Sequence, residues 1–511
     1  MSSDNRFIGY KWLANTFGLP FNHYHESQVG RRLKQSERPD GSILDEYTTQ
    51  YYPGDRIIDH IQFGLKYEGL YLGLLQNVFR RMDAAEIADF INQSPSGKYA
   101  RQIGFLYEFL TGQALSGVTG LAGNYVDIAD PELYIVPDGE NIPKWRIRNN
   151  LPGDARFCPL VRKTDLTTYY LPVDFSMHIR ESYADVDPRI FRRAVNYLYF
   201  KETKSSNEIE HERPGTKREE RFVELLRHAG SVGLDYRLTE TGLAECQQAI
   251  TDERFNRDTF RGDQNYVGES GPYGMRPFIH LIGMPPQYVD DAMTGLHDYQ
   301  QRTAGMNTIV RAATLSFAFV FIHPFDDGNG RVHRFLINDV LSSDGLLDRG
   351  VILPVSAVMV RASHHYDEIL ESFSVPLVKA ARYDLDNDHN LTVLNPEEIE
   401  HFYRYPDLTR QVEYLFKVVD ETIRVDLVDE IKAIISFDRL REKLKNIVDM
   451  PSRETELLMK LLHQNDGKLS AGKRKRHFLF LDDAEVADIE EAYHQAFSQQ
   501  GEDEDDGLGP R

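Results

Sequence analysis

Between Asp55 and Arg81 the apolar residues recur at alternating spacings of three and four: Ile58, Ile61, Leu65, then a carboxylate, Glu68, then Leu72, Leu75 and Phe79. That spacing is one face of a helix. A second apolar row, Phe63, Tyr67, Leu70, Leu74 and Val78, makes the segment apolar nearly all round and predicts a buried helix over 55–81. "DAAEIADFINQ" and "GKYARQIGFLYEFLTG" carry the helical theme to about residue 115, whereas residues 1–50 are polar and turn-rich, with "SERPDGS" a loop. From 120 to 180 the chain is richer in Pro, Gly and β-formers and reads as loops with short strands. The charged run "KETKSSNEIEHERPGTKREER" reads as a solvated linker or an extended helix end.

Helical pattern resumes at "RFVELLRHAG" and "TETGLAECQQAI", followed by a strand-like pair, "NYVGE" and "FIHLIG", around the turn-rich "SGPYGMRP". A long helical block then runs from about Pro286 to Ile322, and further helices are expected from Arg331 to Leu341 and from Ala362 to Ala381. Near the C-terminus, two helices flank a short basic, strand-capable stretch, which suggests a small helical or winged-helix-like module. These divisions give an N-terminal helical region (1–120), a loop-rich insertion and charged linker (121–220), a core (221–380), a helical connector (381–440), the C-terminal module (441–500) and an acidic, disordered tail (501–511).

Composition narrows the partners. With 41 % hydrophobic and 27 % charged residues the chain is of ordinary globular type. A net charge of −21 disfavours broad nucleic-acid binding, which needs positive charge to displace counterions. The tail "GEDEDDGLGPR", with five acids and one arginine, supplies −4 of that total. Two cysteines, Cys158 and Cys246, make no disulfide framework and lack metal-site spacing, which suits a reducing interior. No signal-peptide pattern opens the sequence and no apolar run approaches membrane length, so a cytoplasmic protein without membrane partners is expected.

The chemistry concentrates in "HPFDDGNGRVHR", His323 to Arg334, directly after the apolar "ATLSFAFVFI". Gly328 and Gly330 free the backbone to turn N–H groups inward, and "RVHRFLINDV" is a good helix. A loosened loop feeding a helix N-terminus is an anion site. Arg331 and Arg334, three apart, project from one face and can grip phosphate oxygens. Asp327 beside them makes sense if Mg²⁺ bridges carboxylate and phosphates. His323, before a stiffening proline, is placed as a general base. Glycines alone would signify a bend; base, acid and two arginines at these spacings signify a phosphate site.

This stretch resembles the signature of the Fic family, HPFx[D/E]GNGRxxR, at every defined position: His323, Pro324, Phe325, Asp327, Gly328, Asn329, Gly330, Arg331 and Arg334. The resemblance is firmest over about 225–375. It implies a mainly α fold, a Fic-type helical core with a short β-hairpin flap. It also implies transfer of AMP from ATP, with Mg²⁺, to a hydroxyl of a target protein (Tyr, Ser or Thr), with self-modification and homo-oligomers as further possibilities. In the family's scheme His323 deprotonates the hydroxyl, Asp327 holds the metal, Asn329 and the loop amides steady the α-phosphate, and Arg331 and Arg334 hold the departing phosphates. His333 and Asp326, at variable positions, are expected on the surface.

Two more expectations follow from the resemblance. "RGDQNYVGESGPYGMRPFIHLIGMPP" is the candidate flap, with Tyr266, Val267 and Gly268 on one arm and Phe278, Ile279 and His280 on the other; a purely structural hairpin is the competing reading. Many relatives are restrained by a glutamate in an [S/T]xxxE[G/N] helix that pairs with the second arginine. "GLKYEG" offers Glu68 for Arg334, with Gly64 in place of Ser/Thr; the alternative is a Glu bonded to another core group. "DLDNDHN" from Asp384 lacks the glycine and terminal glutamate of a calcium loop and reads as a turn, and "KRKR" at Lys473–Arg476 reads as a solvated face. An enzyme using another nucleotide or phosphate-linked group, and a non-catalytic nucleotide-binding regulator, remain the alternatives.

Overall fold

The computed structural model describes residues 6–498 except 40, 185 and 270–275. The acidic tail and the turn of the candidate flap lie outside the described residues. The fold is mainly α, with small sheets at its margins.

At its centre is the entry helix, Thr308–Ile322, in which every residue from Ile309 to Ile322 is buried. Its sequence is apolar nearly all round, with Arg311 near its start paired to Asp344, so it can only be stable when surrounded. Asn307 opens it, its side-chain oxygen accepting from the N–H groups of Ile309 and Val310 at 3.0 and 3.2 Å. It packs against the exit helix, Asn329–Ser343, which buries twelve residues from Asn329 to Leu341. His333 therefore lies fully buried against Phe317, contrary to its expected place on the surface, and burial depresses its basicity to about 3. Asp326 is exposed, as expected, and pairs with Arg257. One continuous apolar cluster from Ile135 to Ile431 encloses this pair.

A second core joins Tyr10 to Leu160 and Tyr405, and a third joins Leu440 to Ala496. The N-terminal region differs from expectation in two ways. Residues 6–47 form a four-stranded sheet with order Arg6–Ile8, His25–Val29, Ile43–Tyr47, Lys34–Glu37; its central pair is parallel. Alternation over such short, polar strands is weak, which hid them. The single helix expected over 55–81 is two, Ile57–Tyr67 and Leu72–Phe79. The break falls at Gly69, whose φ of +87° ends the first helix and brings its backbone against the Tyr134 hydroxyl.

The charged run expected as a linker or helix end spans the last turns of a 22-residue helix, Pro188–Ile209, then a short turn and the start of a second helix, Thr216–Arg227. The longer helix is opened by Asp187 and by Pro188 at its first turn. Its buried residues Ala194, Val195, Leu198, Tyr199, Glu202, Thr203 and Ser206 recur at helical spacing and pack on the Val355–Arg361 and Val428–Ile447 helices. "DLDNDHN" is a hairpin turn in which the Asp386 carboxylate accepts from the amides of Asp388 and Asn390. The C-terminal module is helical, and "HFLFL" forms no strand. No helix among the described residues is long and apolar enough to cross a membrane.

Candidate functional site

The entry helix ends at His323 in the left-handed conformation, φ 58° and ψ 58°. For a residue with a Cβ this costs about 1–2 kcal/mol, so neighbours must hold it there. They do. The Arg261 guanidinium donates to the His323 carbonyl at 2.7 Å, and the Asn265 amide donates to the same oxygen at 3.4 Å. The ring is fixed by Nδ1 donating to the Val320 carbonyl at 3.0 Å, which leaves Nε2 as the nitrogen that can take a proton. Burial, aided by the Arg261 charge, lowers the imidazole to about 4, against the opposing influence of Val320, Glu210 and Asp327. At neutral pH it is an unprotonated base.

The loop then turns into the exit helix. Asn329 closes it by accepting from the Phe325 N–H at 3.0 Å and donating to the Phe325 carbonyl at 2.7 Å. Both ends of its amide are thereby engaged with the loop, not turned toward a ligand. Gly328 has φ 90°, where a side chain would be strained and would press on Thr251. No side chain caps the exit helix, so its first amides and its dipole are left for an anion.

Arg331 and Arg334 are each 1 % exposed, and both are already held by carboxylates. Arg331 donates to Glu212 at 2.9 Å and to Asp327 at 3.1 Å. Arg334 donates to Glu210 at 2.6 Å, to the Ser206 hydroxyl at 2.8 Å and to the Ser206 carbonyl at 2.9 Å. The Glu210 carboxylate lies so close to Gly330 that a Cβ there would overlap it. An anion thus already occupies the mouth of the helix N-terminus. Burial alone would raise the Glu210 carboxyl, but Arg334, Arg331 and His323 together hold it below its ordinary value.

Glu68 is not the partner of Arg334. It ends the Ile57–Tyr67 helix, 1 % exposed, and accepts from the Tyr10 N–H at 2.7 Å. Gly64, where the restraint pattern has Ser or Thr, is required by packing: a Cβ would meet the Tyr10 ring at 2.5 Å. The residues missed from sequence are Ser206, Glu210 and Glu212. The missed signal was Ser206-x-x-x-Glu210, which satisfies the first half of the pattern, with His211 where Gly or Asn is expected.

The hairpin forms as expected, Tyr266–Glu269 antiparallel to Phe278–Ile282, with a register shift between Val267 and Gly268. Ile279 and Ile282 are buried against Leu385 and Leu391, while Val267 and Phe278 face solvent. Its far end is tied to the site: the Met284 N–H donates to the Ile322 carbonyl at 3.1 Å.

Asp327 is the carboxylate of this loop that could hold a metal. Its Oδ1 accepts from the Gly328 N–H at 2.6 Å and from Arg331, and its side chain is 40 % exposed. A single outward-facing carboxylate suits Mg²⁺, which takes one or two carboxylates and draws its other ligands from phosphates and water. No cluster of three acidic, His or Cys ligands occurs among the described residues.

A histidine with one free ring nitrogen, an uncapped helix N-terminus and two buried arginines thus meet at the turn between the entry and exit helices. Residues 238–341 match the Fic/DOC family model, and the chain carries a Fic/DOC domain there. Over 97 residues it is 35 % identical to "Protein adenylyltransferase fic-1" of Caenorhabditis briggsae, a match covering 19 % of this chain and 17 % of that relative. A Fido domain-containing protein of Dictyostelium discoideum is 43 % identical over 67 residues, or 12 % of this chain and 47 % of the relative. The matches thus span less than half of each relative's length. A Fic family protein of Desulfovibrio desulfuricans G20 aligns with a TM-score of 0.37 and 18 % identity over 63 % of this chain and 86 % of its own.

Proposed function

We propose that the chain is a protein adenylyltransferase that uses ATP with Mg²⁺ and is held at rest by Glu210. The observation that carries this reading is a neutral histidine, its Nε2 available, beside an uncapped helix N-terminus whose two arginines are both occupied by carboxylates. The naming of matched relatives as protein adenylyltransferases supports AMP as the transferred group.

In this reading Glu210 and Glu212 withdraw, and the triphosphate takes their place. The first amides of the exit helix receive the α-phosphate while Arg331 and Arg334 hold the outer phosphates. Asn329 serves by keeping the loop closed. His323 accepts the proton of a Ser, Thr or Tyr hydroxyl. The hydroxyl oxygen bonds to the α-phosphorus, the bond from that phosphorus to the bridging oxygen breaks, and pyrophosphate leaves. Asp327 would hold the Mg²⁺, which when bound supplies charge neutralisation of the phosphates. The hairpin Tyr266–Ile282 presents Val267 and its edge to an extended segment of the target.

The test is label transfer from α-labelled ATP to protein in lysate. Glu210→Gly should transfer label, and His323→Ala in that background should lose about 10²–10⁴-fold of the rate. Undiminished transfer without His323 would remove it as the base. Transfer from γ-labelled ATP instead would change the reaction class.

A further inference from the structure

Arg261 lies just ahead of the hairpin, and its burial is unusual for a charged side chain. It is 6 % exposed, yet no carboxylate pairs with it among the described residues. Its guanidinium is satisfied by backbone carbonyls: His323 at 2.7 Å, Asp263 at 2.6 Å, Met284 at 2.5 Å and Ile322 at 3.4 Å. Its own N–H donates to the Pro324 carbonyl at 2.9 Å. Asn265 works beside it: the side chain donates to the carbonyls of His323 and Phe325, and its carbonyl accepts from the Gly283 N–H at 3.1 Å. The first hairpin strand starts at the next residue, Tyr266.

These bonds join two segments far apart in sequence. Asp263, Gly283 and Met284 form the root of the hairpin; Ile322 to Phe325 form the catalytic turn. A planar fork with five donors can span such a set of carbonyls, whereas an ammonium is a single point. Burying an unpaired guanidinium is costly, and here burial lowers its basicity to about 10 while leaving it charged at neutral pH. Apolar filler would hold the hairpin root at lower cost. The cost is intelligible if the fork sets geometry that packing cannot.

We propose that Arg261, assisted by Asn265, is a positioning residue that locks the strained backbone of His323 to the root of the hairpin, so that a hydroxyl presented on the hairpin edge arrives in line with the histidine. The proposal rests on the adenylyltransferase reading for its activity, but the joint itself is independent of it.

The experiment compares wild type, Arg261→Ala, Arg261→Lys and Asn265→Ala in the full chain, each also with Glu210→Gly. Arg261→Ala should lower kcat for label transfer about 100-fold, as expected for misplacement of a catalytic group, with KM for ATP within about twofold. Arg261→Lys should not restore it, and millimolar guanidinium added to Arg261→Ala should. Amide exchange should quicken together at Gly283–Met284 and at His323, without a general loss of protection. Unchanged kcat, faster exchange in one segment alone, or a global loss of protection that guanidinium does not reverse would each overturn the proposal. If wild type and Glu210→Gly transfer no label, the adenylyltransferase reading fails while the exchange experiment still decides the joint.

Discussion

Glu68 and Glu210 occupy nearly the same local setting. Each ends a helix, and each leans its carboxylate on a glycine at the start of another helix: Gly9 for Glu68 and Gly330 for Glu210. Their charge states are opposite. Burial drives the Glu68 carboxyl up to about 8, despite the Tyr10 N–H, so it is protonated at neutral pH. Glu210 is held below its usual value by Arg334, Arg331 and His323. A helix N-terminus contributes at most about 2 kcal/mol to an anion, less than burial takes from it. The guanidinium groups decide. Glu68 is therefore a neutral structural link between the first helix and the second, and Glu210 is an anion in a place made for an anion.

The strongest way to break this contrast is to remove each carboxylate in turn. Glu210→Gly deletes a charge-assisted bond of about 1.5–3 kcal/mol that any phosphate must displace, so label transfer should rise by roughly 10–100-fold. Glu68→Gln, which keeps the shape of a protonated glutamate, should leave transfer within about twofold of wild type. Activation by Glu68→Gln to the level of Glu210→Gly would return the restraint to Glu68 and refute the assignment.

The nearness of His323, Asp327, Arg331 and Arg334 to one another was legible because they lie on one turn and one helix start, whereas the burial of His333 and the inward engagement of Asn329 were not. The Glu68 error had a physical source. A carboxylate in an apolar stripe does require an explanation, but sequence cannot say whether the explanation is a cation or a proton. In "KETKSSNEIEHERPGTKREER" the density of charge suggested solvent, whereas Ser206 and Glu210 share one face with the buried Leu198, Tyr199 and Glu202 and point to Arg334. The joint at Arg261 was invisible for another reason: its partners are backbone carbonyls, which carry no sequence signature.

The two carboxylates also predict opposite pH responses. Between the ordinary glutamate value of 4.5 and about 8, native Glu68 retains a proton that the unfolded chain has released. The unfolded state then binds fewer protons, so this residue's contribution to stability falls as pH rises through that window. Glu210, with a depressed value, contributes stability that is present above the ordinary range and lost on acidification through its own lower value. Melting temperatures from pH 3 to 9 test both. Glu68→Gln should remove a few degrees of the decline between pH 4.5 and about 8, at about 1 °C per kcal/mol for a chain of this length, and Glu210→Gln should flatten the acid side. If Glu68→Gln leaves the slope between pH 4.5 and about 8 unchanged, the side chain is ionised at neutral pH and the contrast collapses.

The smallest expected effect separates the carboxylate from its helix. Ser206 holds Arg334 twice, through its hydroxyl at 2.8 Å and its carbonyl at 2.9 Å. Ser206→Ala removes the first bond and leaves the second, together with the ion pair to Glu210. A hydrogen bond to a charged group contributes about 1.5–3 kcal/mol, and the freed Nε has a triphosphate or water as its alternative partner, so most of that is regained on release. Transfer should therefore rise by about threefold, well short of Glu210→Gly. The double variant Ser206→Ala, Glu210→Gly should equal Glu210→Gly alone, because the hydroxyl only orients an arginine that the carboxylate occupies. If Ser206→Ala alone activates as fully as Glu210→Gly, the restraint is the seating of Arg334 on the helix end. The occupation of an anion site by Glu210 would then be incidental.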